Sequence, residues 1–190
     1  MRLDTGSTVR PRSLTAVRDG APVAVPDPER LVHLQFRRFA GCPVCHLHLR
    51  SVVRRHAEIE AAGVREVVVF HSAAGELREH VAELPFAVVA DPDKRLYAEF
   101  GVESSYRSLL SPRAWWPVLR AVAAGTAEAV RGRQKLPSRT QDNGRLGLPA
   151  DFLIAPDGTV LARSYGEYVD DQWPVEELLT LAERARTVRT

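Results

Sequence analysis

The hydrophobic positions of the chain fall into short runs that predict alternating strands and helices. Three runs are mainly apolar and β-prone, which is typical of buried strands: Leu31 to Phe36, Val67 to Phe70 and Phe86 to Ala90. Apolar residues at helical spacing predict helices over Val44 to Ala62, Glu76 to Leu84, Lys94 to Phe100 and Pro174 to Arg184. This alternation predicts an α/β fold with a central mixed, largely parallel sheet and helices on both faces.

Two further pairs of β-prone runs are joined by turn sequences. Ser13 to Val17 and Pro22 to Val25 flank an Asp-Gly dipeptide, which predicts an N-terminal β-hairpin. Phe152 to Ile154 and Thr159 to Ala162 flank a Pro-Asp-Gly turn, which predicts a second antiparallel pair.

One segment, at about residues 104–147, interrupts the alternation and is interpreted as a helical insertion. Ser111-Pro112 is a typical helix start, and the helix that follows carries Trp115 and Trp116 in its apolar stripe. We expect this stripe to pack on the domain, although a lid or a docking surface would have the same pattern. Residues 1–12 are expected to be a flexible N-terminus, and residues 13–190 a single domain.

Composition and charge exclude several classes of protein. The chain has 190 residues, of which 45% are hydrophobic and 26% are charged, so it is not disordered. A net charge of +2 is too balanced for a nucleic-acid-binding surface. Apolar runs are too short to cross a membrane, and Met1 to Arg12 lacks the apolar core of a secretory signal. We therefore expect a cytoplasmic protein that binds neither nucleic acid nor a membrane.

The two cysteines carry the candidate chemistry. Cys42 and Cys45 are three residues apart at the start of a predicted helix, where they lie one turn apart and can form a disulfide. The helix N-terminus stabilises a thiolate at Cys42, and Pro43 is well tolerated as the first helical residue. We expect Cys42 to be the exposed nucleophile and Cys45 to resolve the product that forms on it.

The same residues allow two metal-binding interpretations. The run from Cys42 to His46 matches the Cys-x-x-Cys-His signature of c-type haem attachment, but haem attachment follows export, and the only methionine is Met1. Zinc bound by the cysteines with His46 and His48 is a minor alternative, a structural zinc module, although these two histidines point away from each other on one helix. We expect no cofactor and no metal.

Two further motifs follow the cysteine pair in chain order. They are Phe86 to Asp93 with Tyr97 and Phe100 to Val102, and Pro149 to Gly158. With the cysteine pair, these motifs resemble the thioredoxin superfamily and, within it, the peroxiredoxin-like (AhpC/TSA-type) branch that includes proteins with a Cys-x-x-Cys pair. The resemblance covers about Leu14 to Leu179 and implies a thioredoxin-like fold, thiol redox activity and a cis peptide bond at Leu148-Pro149 that faces the cysteines. Substrate is then expected to face Pro43, Val44, Leu148 and Pro149.

The chain departs from the family at three positions. Typical peroxiredoxins have Thr or Ser where this chain has Phe39, and Pro where it has Gln35; thioredoxins usually have a buried Asp where it has Phe36. The chain therefore lacks residues that the peroxiredoxin mechanism and the thioredoxin mechanism each use. His71, at the carboxyl end of a predicted strand, is a candidate catalytic proton acceptor because open α/β sheets gather their sites there and histidine titrates near neutral pH. A strand-end histidine with no proton role remains the alternative.

These observations predict an oxidoreductase, either a thiol peroxidase or a thiol-disulfide oxidoreductase. Cys42 would attack a peroxide or a disulfide, Cys45 would close an intramolecular disulfide, and a thioredoxin-, mycothiol- or glutathione-type thiol would reduce it again. The residues do not decide between the two substrates, or between a monomer and a homodimer. The alternative from another class is a non-enzymatic redox sensor, in which the same disulfide changes a partner-binding surface at the Trp115 helix.

Overall fold

The computed structural model describes residues 2–81, 83–102, 148–168 and 170–187. The strands are β1 (Arg12–Thr15), β2 (Pro22–Val25), β3 (Leu31–Arg37), β4 (Val64–Phe70), β5 (Ala87–Ala90), β6 (Ala150–Ile154) and β7 (Val160–Tyr165). The helices are α1 (Pro43–Arg54), α2 (His56–Ala61), α3 (Ala74–Val81), α4 (Arg95–Glu99) and α5 (Val175–Thr187). The predicted insertion, with its Trp115 helix, lies outside the described residues.

The main sheet has five strands in the order β5-β4-β3-β6-β7. Strands β3, β4 and β5 are parallel, whereas β6 pairs antiparallel with both β3 and β7. Strands β1 and β2 form a separate antiparallel hairpin. The predicted α/β fold, with a mixed, largely parallel sheet and an N-terminal hairpin, is therefore confirmed.

The predicted helix over Val44 to Ala62 is broken in two. Arg55 leaves helical geometry, with φ of −115° and ψ of 18°, and separates α1 from α2. Its guanidinium donates to Glu58 on α2 and to Glu176 on α5, so ion pairs hold the corner. The apolar spacing continues through both helices and therefore does not reveal the break.

The N-terminal segment covers both edges of the main sheet. The backbone N–H of Gly6 donates to the carbonyl of Val160 on β7, at 2.8 Å. Further along, Val17 donates to the carbonyl of Val88 on β5, also at 2.8 Å. Covered edges do not offer a template for pairing with another chain. Gly6 and Val9, in the segment expected to be a flexible N-terminus, thus contact the domain in this structure.

The two faces of the sheet bury different kinds of side chain. The face under α4 and the N-terminal hairpin is apolar, with Phe36 packed among the rings of Tyr97, Phe100 and Phe152. The opposite face lies under α1, α3 and α5, whose apolar residues pack on it. Successive residues of a strand point to opposite faces. The neighbours of Phe36 on β3 therefore point beneath α1, and these are polar.

A closed ring of hydrogen bonds joins five polar side chains beneath α1, each 0–1% exposed. In order around the ring they are His33, Glu66, Gln35, Arg37 and Asp151. His33 Nδ1 lies 2.9 Å from Glu66 Oε1, and Arg37 Nη2 lies 2.6 Å from Asp151 Oδ1. His33 Nε2 closes the ring on Asp151 Oδ1 at 3.2 Å. We call this set the buried ring.

The buried ring balances its own charge. His33 points one ring nitrogen at each of two carboxylates, which only accept, so both nitrogens donate and His33 is an imidazolium. Burial opposes this charge, but Glu66 and Asp151 outweigh burial and raise the pKa of His33 to about 9. Burial also raises the pKa of Asp151, but Arg37 and His33 hold it well below its usual range. Two positive groups thus offset two negative ones, which is how charges persist in a core.

The imidazolium of His33 makes stability depend on pH. Folding raises its pKa from 6.5 to about 9, so its contribution is complete below about pH 6.5 and is lost as the pH rises to about 9. We expect the free energy of unfolding to fall by about 3 kcal/mol across this interval, at about 1.4 kcal/mol per pKa unit.

Denaturant unfolding of a Cys42→Ser/Cys45→Ser variant at a series of pH values measures this fall. The double variant is needed because the lowered pKa of Cys42 adds stability as the pH rises, with the opposite sign. Adding His33→Gln should remove the slope. A free energy of unfolding that stays constant from about pH 6 to pH 10 would contradict a charged His33.

Candidate active site

The two cysteines lie at the N-terminal end of α1. Gly41 turns the chain into the helix with φ of +73°, a conformation that glycine adopts at little cost. Cys42 is the N-cap residue and Pro43 opens the helix. The sulfur of Cys42 accepts a hydrogen bond from the backbone N–H of Cys45 at 3.5 Å. The unpaired N–H groups of the first turn therefore favour negative charge at Cys42.

The two thiols are free, face each other and ionise unequally. Cys45 Sγ donates to Cys42 Sγ, and the two atoms are 2.9 Å apart. Burial raises the pKa of Cys42, but the Cys45 thiol, the charge of Arg38 and backbone N–H groups outweigh burial and lower it to about 7. Burial raises the pKa of Cys45, and neighbouring Cys42 raises it further, well above the ordinary value. The thiolate that forms near neutral pH is therefore on Cys42.

Arg38 is a site residue that the sequence analysis missed. It is 5% exposed, and its guanidinium carbon lies 5.3 Å from the centre of the Phe39 ring. Its charge lowers the pKa of both thiols. The loop after β4 fixes its backbone, because His71 N–H donates to the Arg38 carbonyl at 3.2 Å and Ala40 N–H donates to Ser72 Oγ at 2.9 Å. The sequence did contain a signal for this role, because Arg38 is a cation placed between a buried strand and the first cysteine.

Both thiols are buried, which corrects the expectation of an exposed nucleophile. Cys42 is 2% exposed and Cys45 is 3% exposed. Val44, expected to face a substrate, packs in the hydrophobic core, whereas Pro43 is half-buried. A pocket of about 20 Å³ adjoins both cysteines between α1 and α3. Such a volume holds a water-sized molecule and nothing much larger.

His71 follows β4 at its carboxyl end, beside the loop that leads to the cysteines. It is 1% exposed, and among the described residues neither ring nitrogen has a hydrogen-bond partner. Its ring packs edge-on against Tyr97, with centroids 5.7 Å apart. Burial, with the charges of Lys94 and Arg38, lowers its pKa to about 4. His71 is therefore a neutral imidazole at pH 7, with a pKa below the neutral range expected from the sequence.

Leu148 and Pro149 lie directly before β6. Leu148 is half-buried and Pro149 is buried. The carbonyl of Pro149 accepts from the N–H of Gly166 at 2.9 Å, and a Cβ on Gly166 would lie 2.8 Å from Pro149 Cγ. Within the described ranges the structure records a cis peptide bond at Val25-Pro26 and none at Leu148-Pro149. The expectation of a cis peptide bond at Leu148-Pro149, which the family resemblance implied, is therefore wrong.

The departures from the family at Phe36 and Gln35 have a structural explanation. Phe36 packs on the face of the sheet opposite α1, so an aspartate at its position would not lie beneath the cysteine helix. The buried carboxylate beneath α1 comes instead from Asp151 on β6, and Gln35 is a member of the buried ring. The polar residues at every second position of β3 were the available signal, although that pattern usually indicates a half-exposed strand.

A larger depression, of about 210 Å³, lies between the N-terminal hairpin and α2. It is lined by residues of both charges, such as Arg18, Arg65 and Glu60, and not by the cysteines. Across the described ranges, no group of three or more histidines, cysteines and carboxylates is arranged so that it could hold a metal ion. The described helices are too short or too polar to cross a bilayer.

Comparison with protein families gives one match. The profile of the AhpC/TSA antioxidant enzyme family matches residues 51–167, which is more than half of the chain. The matched region begins within α1, after the cysteine pair, and extends beyond β7. A comparison with curated protein sequences finds no match.

Solved structures resemble the chain along almost its whole length. A protein described as thiol:disulfide interchange protein DsbE from Chlorobium tepidum is 20% identical, with a TM-score of 0.60 over 95% of this chain and 98% of that one. Peroxidoxin BcpB from Mycobacterium tuberculosis is 16% identical, with a TM-score of 0.66 over 96% and 98%. The reduced 2-Cys peroxiredoxin of Plasmodium vivax is 13% identical, with a TM-score of 0.66 over 96% and 82%. These similarities confirm the thioredoxin-like fold.

Removal of the Arg38 charge should raise the pKa of Cys42. We expect Arg38→Gln to move the midpoint of Cys42 alkylation by iodoacetamide upward from about 7 by about one pH unit, because a nearby opposite charge typically shifts a pKa by about 1–3 units. The measurement is the alkylation rate against pH, with the modified cysteine identified by mass spectrometry. Arg54→Gln is the matched control, since Arg54 lies in the last turn of α1, roughly 18 Å along the helix from Cys42. Identical midpoints for Arg38→Gln and the unmodified protein would contradict this role.

Proposed function

The chain belongs to the AhpC/TSA antioxidant enzyme family, and we propose that it is a thiol-dependent peroxide reductase whose Cys42 and Cys45 cycle between dithiol and disulfide. The observation that carries the proposal is the facing thiol pair, with sulfurs 2.9 Å apart and the thiolate on Cys42. Two sulfurs in contact on one helical turn can form a disulfide with little backbone movement.

The first step is attack of the Cys42 thiolate on one peroxide oxygen. An S–O bond forms and the O–O bond breaks, so the sulfur is oxidised to a sulfenic acid and the peroxide is reduced. The leaving oxygen needs a proton to become water or an alcohol. Cys45 is the hydrogen-bond donor on Cys42, and its raised pKa keeps it protonated until this point. Transfer of that proton leaves Cys45 as a thiolate.

The second step closes the disulfide. The Cys45 thiolate attacks the sulfenic sulfur of Cys42, an S–S bond forms, and hydroxide leaves and is protonated to water. Two external thiols then reduce the disulfide through a mixed disulfide and leave as their own disulfide, so two electrons pass per cycle. The cycle uses no bound cofactor.

The burial of the thiols favours a small peroxide over a disulfide substrate. A mixed disulfide with another protein requires an exposed attacking sulfur, whereas Cys42 is 2% exposed. The adjoining pocket of about 20 Å³ is far too small for a disulfide, and hydrogen peroxide is the smallest of the candidate substrates. Reduction of the protein disulfide by an external thiol then needs local opening at the start of α1.

We assign His71 a hydrogen-bonding role, not that of proton acceptor. Its pKa of about 4 makes it too weak a base to hold a proton at pH 7. Its ring nitrogens have no partner within the described part of the chain. His71 does not line the pocket between α1 and α3, so the proposed role is a hydrogen bond to peroxide on its way to Cys42. Pro43, Leu148 and Pro149 complete the proposed surroundings of the substrate.

The proposed partner is a thiol reductant of the thioredoxin, mycothiol or glutathione type. We place the cycle in the cytoplasm, where such thiols keep cysteine pairs reduced. A homodimer remains compatible with it. A redox sensor would use the same disulfide without turnover, so repeated peroxide consumption with a generic dithiol separates the enzyme from the sensor.

The sulfenic acid on Cys42 is the intermediate to detect. We expect a reduced Cys45→Ser variant, mixed rapidly with one equivalent of hydrogen peroxide and dimedone, to carry the dimedone adduct on Cys42, because the resolving thiol is gone. Mass spectrometry locates the adduct. In the unmodified protein the disulfide should form instead.

Cys42→Ser is the matched control, and it should leave Cys45 unlabelled because the raised pKa of Cys45 makes it a poor nucleophile. If Cys42 reacts with peroxide no faster than a free cysteine, the peroxide reductase proposal fails. Reaction with a small disulfide such as oxidised glutathione would then become the assay of choice.

His71 is tested by separating rate from pH dependence. We expect His71→Phe to slow the reaction of Cys42 with peroxide about two- to tenfold, an amount typical of a lost hydrogen bond, and to leave the pH midpoint near 7, where Cys42 ionises. Peroxide consumption against pH gives both values. A midpoint that moves to a new pH would identify His71 as the titrating base instead.

A further inference from the structure

Two residues packed above the buried ring contact it, namely Trp173, just before α5, and His48 on α1. One carboxylate oxygen of Asp151, Oδ2, accepts from the backbone N–H of Trp173 at 3.3 Å, just before α5. The indole ring of Trp173 also stacks on His33, with centroids 5.6 Å apart. The other contact leads to the cysteine helix, where Arg37 Nη2 lies 3.3 Å from Nε2 of His48.

The direction of the Arg37–His48 hydrogen bond follows from its chemistry. A guanidinium only donates, so Nε2 of His48 accepts and the imidazole is neutral, with its proton on Nδ1. Burial and the charge of Arg37 lower the pKa of His48 to about 3, in agreement with this assignment. Arg37 is itself held by Asp151 and Gln35 inside the ring. His48 is thus anchored to a group that has little freedom to move.

The position of His48 on α1 relates this anchor to the thiols. His48 follows Cys45 by three residues and lies one turn further along the same helix. The groups that stabilise the Cys42 thiolate, namely the N–H groups of α1, the Cys45 thiol and the Arg38 charge, act only if the helix start is correctly placed. A reactive constellation must be held within about 0.5 Å of its productive geometry.

We propose that His48 is a positioning residue, which accepts the hydrogen bond from Arg37, seats α1 on the buried ring and thereby sets the reduction potential of the Cys42–Cys45 pair. This inference rests on the proposed dithiol-disulfide cycle, but not on peroxide being the oxidant. If the anchor is lost, the Cys42 thiolate loses stabilisation, the reduced form becomes less stable, and the pair is oxidised more easily.

The experiment equilibrates the protein with mixtures of reduced and oxidised dithiothreitol. Two protein thiols are oxidised to the disulfide while oxidised dithiothreitol is reduced, so the equilibrium constant gives the potential. We expect His48→Leu to favour the protein disulfide about tenfold at about pH 9, where Cys42 is ionised in both proteins, which corresponds to about 30 mV. The midpoint of Cys42 alkylation should rise by about one pH unit in parallel.

Two variants keep the test specific. His48→Gln offers an amide oxygen to Arg37 and should keep the equilibrium constant within about twofold of the unmodified value, since it restores the acceptor. Ser51→Ala is the matched control on the same helix, because its hydroxyl donates to the His48 carbonyl at 2.7 Å and not to the ring. It should change neither the potential nor the alkylation midpoint.

Thermal unfolding of each variant shows whether it folds, and His48→Ser, whose side chain is too short to reach Arg37, replaces His48→Leu if the latter does not. The inference is overturned if the folded His48→Leu or His48→Ser variant keeps the reduction potential of the unmodified protein. It is also overturned if His48→Gln shifts the potential as much as the variant without an acceptor. A protein that forms its disulfide with dithiothreitol but consumes no peroxide would refute the peroxide reductase and leave the role of His48 testable.

Discussion

Two positive and two negative groups are buried together beneath α1, and the removal of any one would leave a charge without its partner in the core. Breaking such a pair typically costs about 3–5 kcal/mol. The ring closes only when β4, β3 and β6 are neighbours in this register, which sets His33 beside Glu66 and Gln35 beside Asp151. A slip of one residue would turn each side chain to the opposite face. The ring therefore specifies the alignment of the central strands on which α1 rests.

The reactivity of the thiol pair comes from a competition between burial and local positive potential. Burial alone raises the pKa of both thiols. At Cys42 the hydrogen bond from the Cys45 thiol, the Arg38 charge and the backbone N–H groups outweigh burial, whereas at Cys45 the Arg38 charge and a backbone hydrogen bond with Arg38 do not. The helix start thus distinguishes two chemically identical residues. Burial would keep an isolated cysteine protonated and unreactive. In this pair, the thiolate charge is confined to Cys42.

The features that the sequence predicted are those with a local signal. The cysteine pair at a helix start follows from its spacing and from Pro43, and the α/β fold follows from the alternation of apolar runs. The buried ring is non-local, because His33 meets Glu66 33 residues later and Asp151 118 residues later along the chain. Taken alone, each is an ordinary polar residue. The burial of Cys42 was missed for the same reason, since it depends on α3, which is distant in sequence.

Neither Phe36 nor His71, with its low pKa, can transfer a proton during the proposed cycle. Cys45 can supply the proton that the leaving oxygen needs. While Cys42 is a thiolate, its charge helps to keep the Cys45 proton in place. Once Cys42 becomes a neutral sulfenic acid, that charge is gone and the pKa of Cys45 falls toward the value set by burial alone. In the proposed cycle the leaving oxygen, whose conjugate acid has a pKa of about 15.7 when it is water, is a far stronger base than the Cys45 thiolate and takes the proton. The same event creates the thiolate that closes the disulfide, so two adjacent thiols can supply both the nucleophile and the acid.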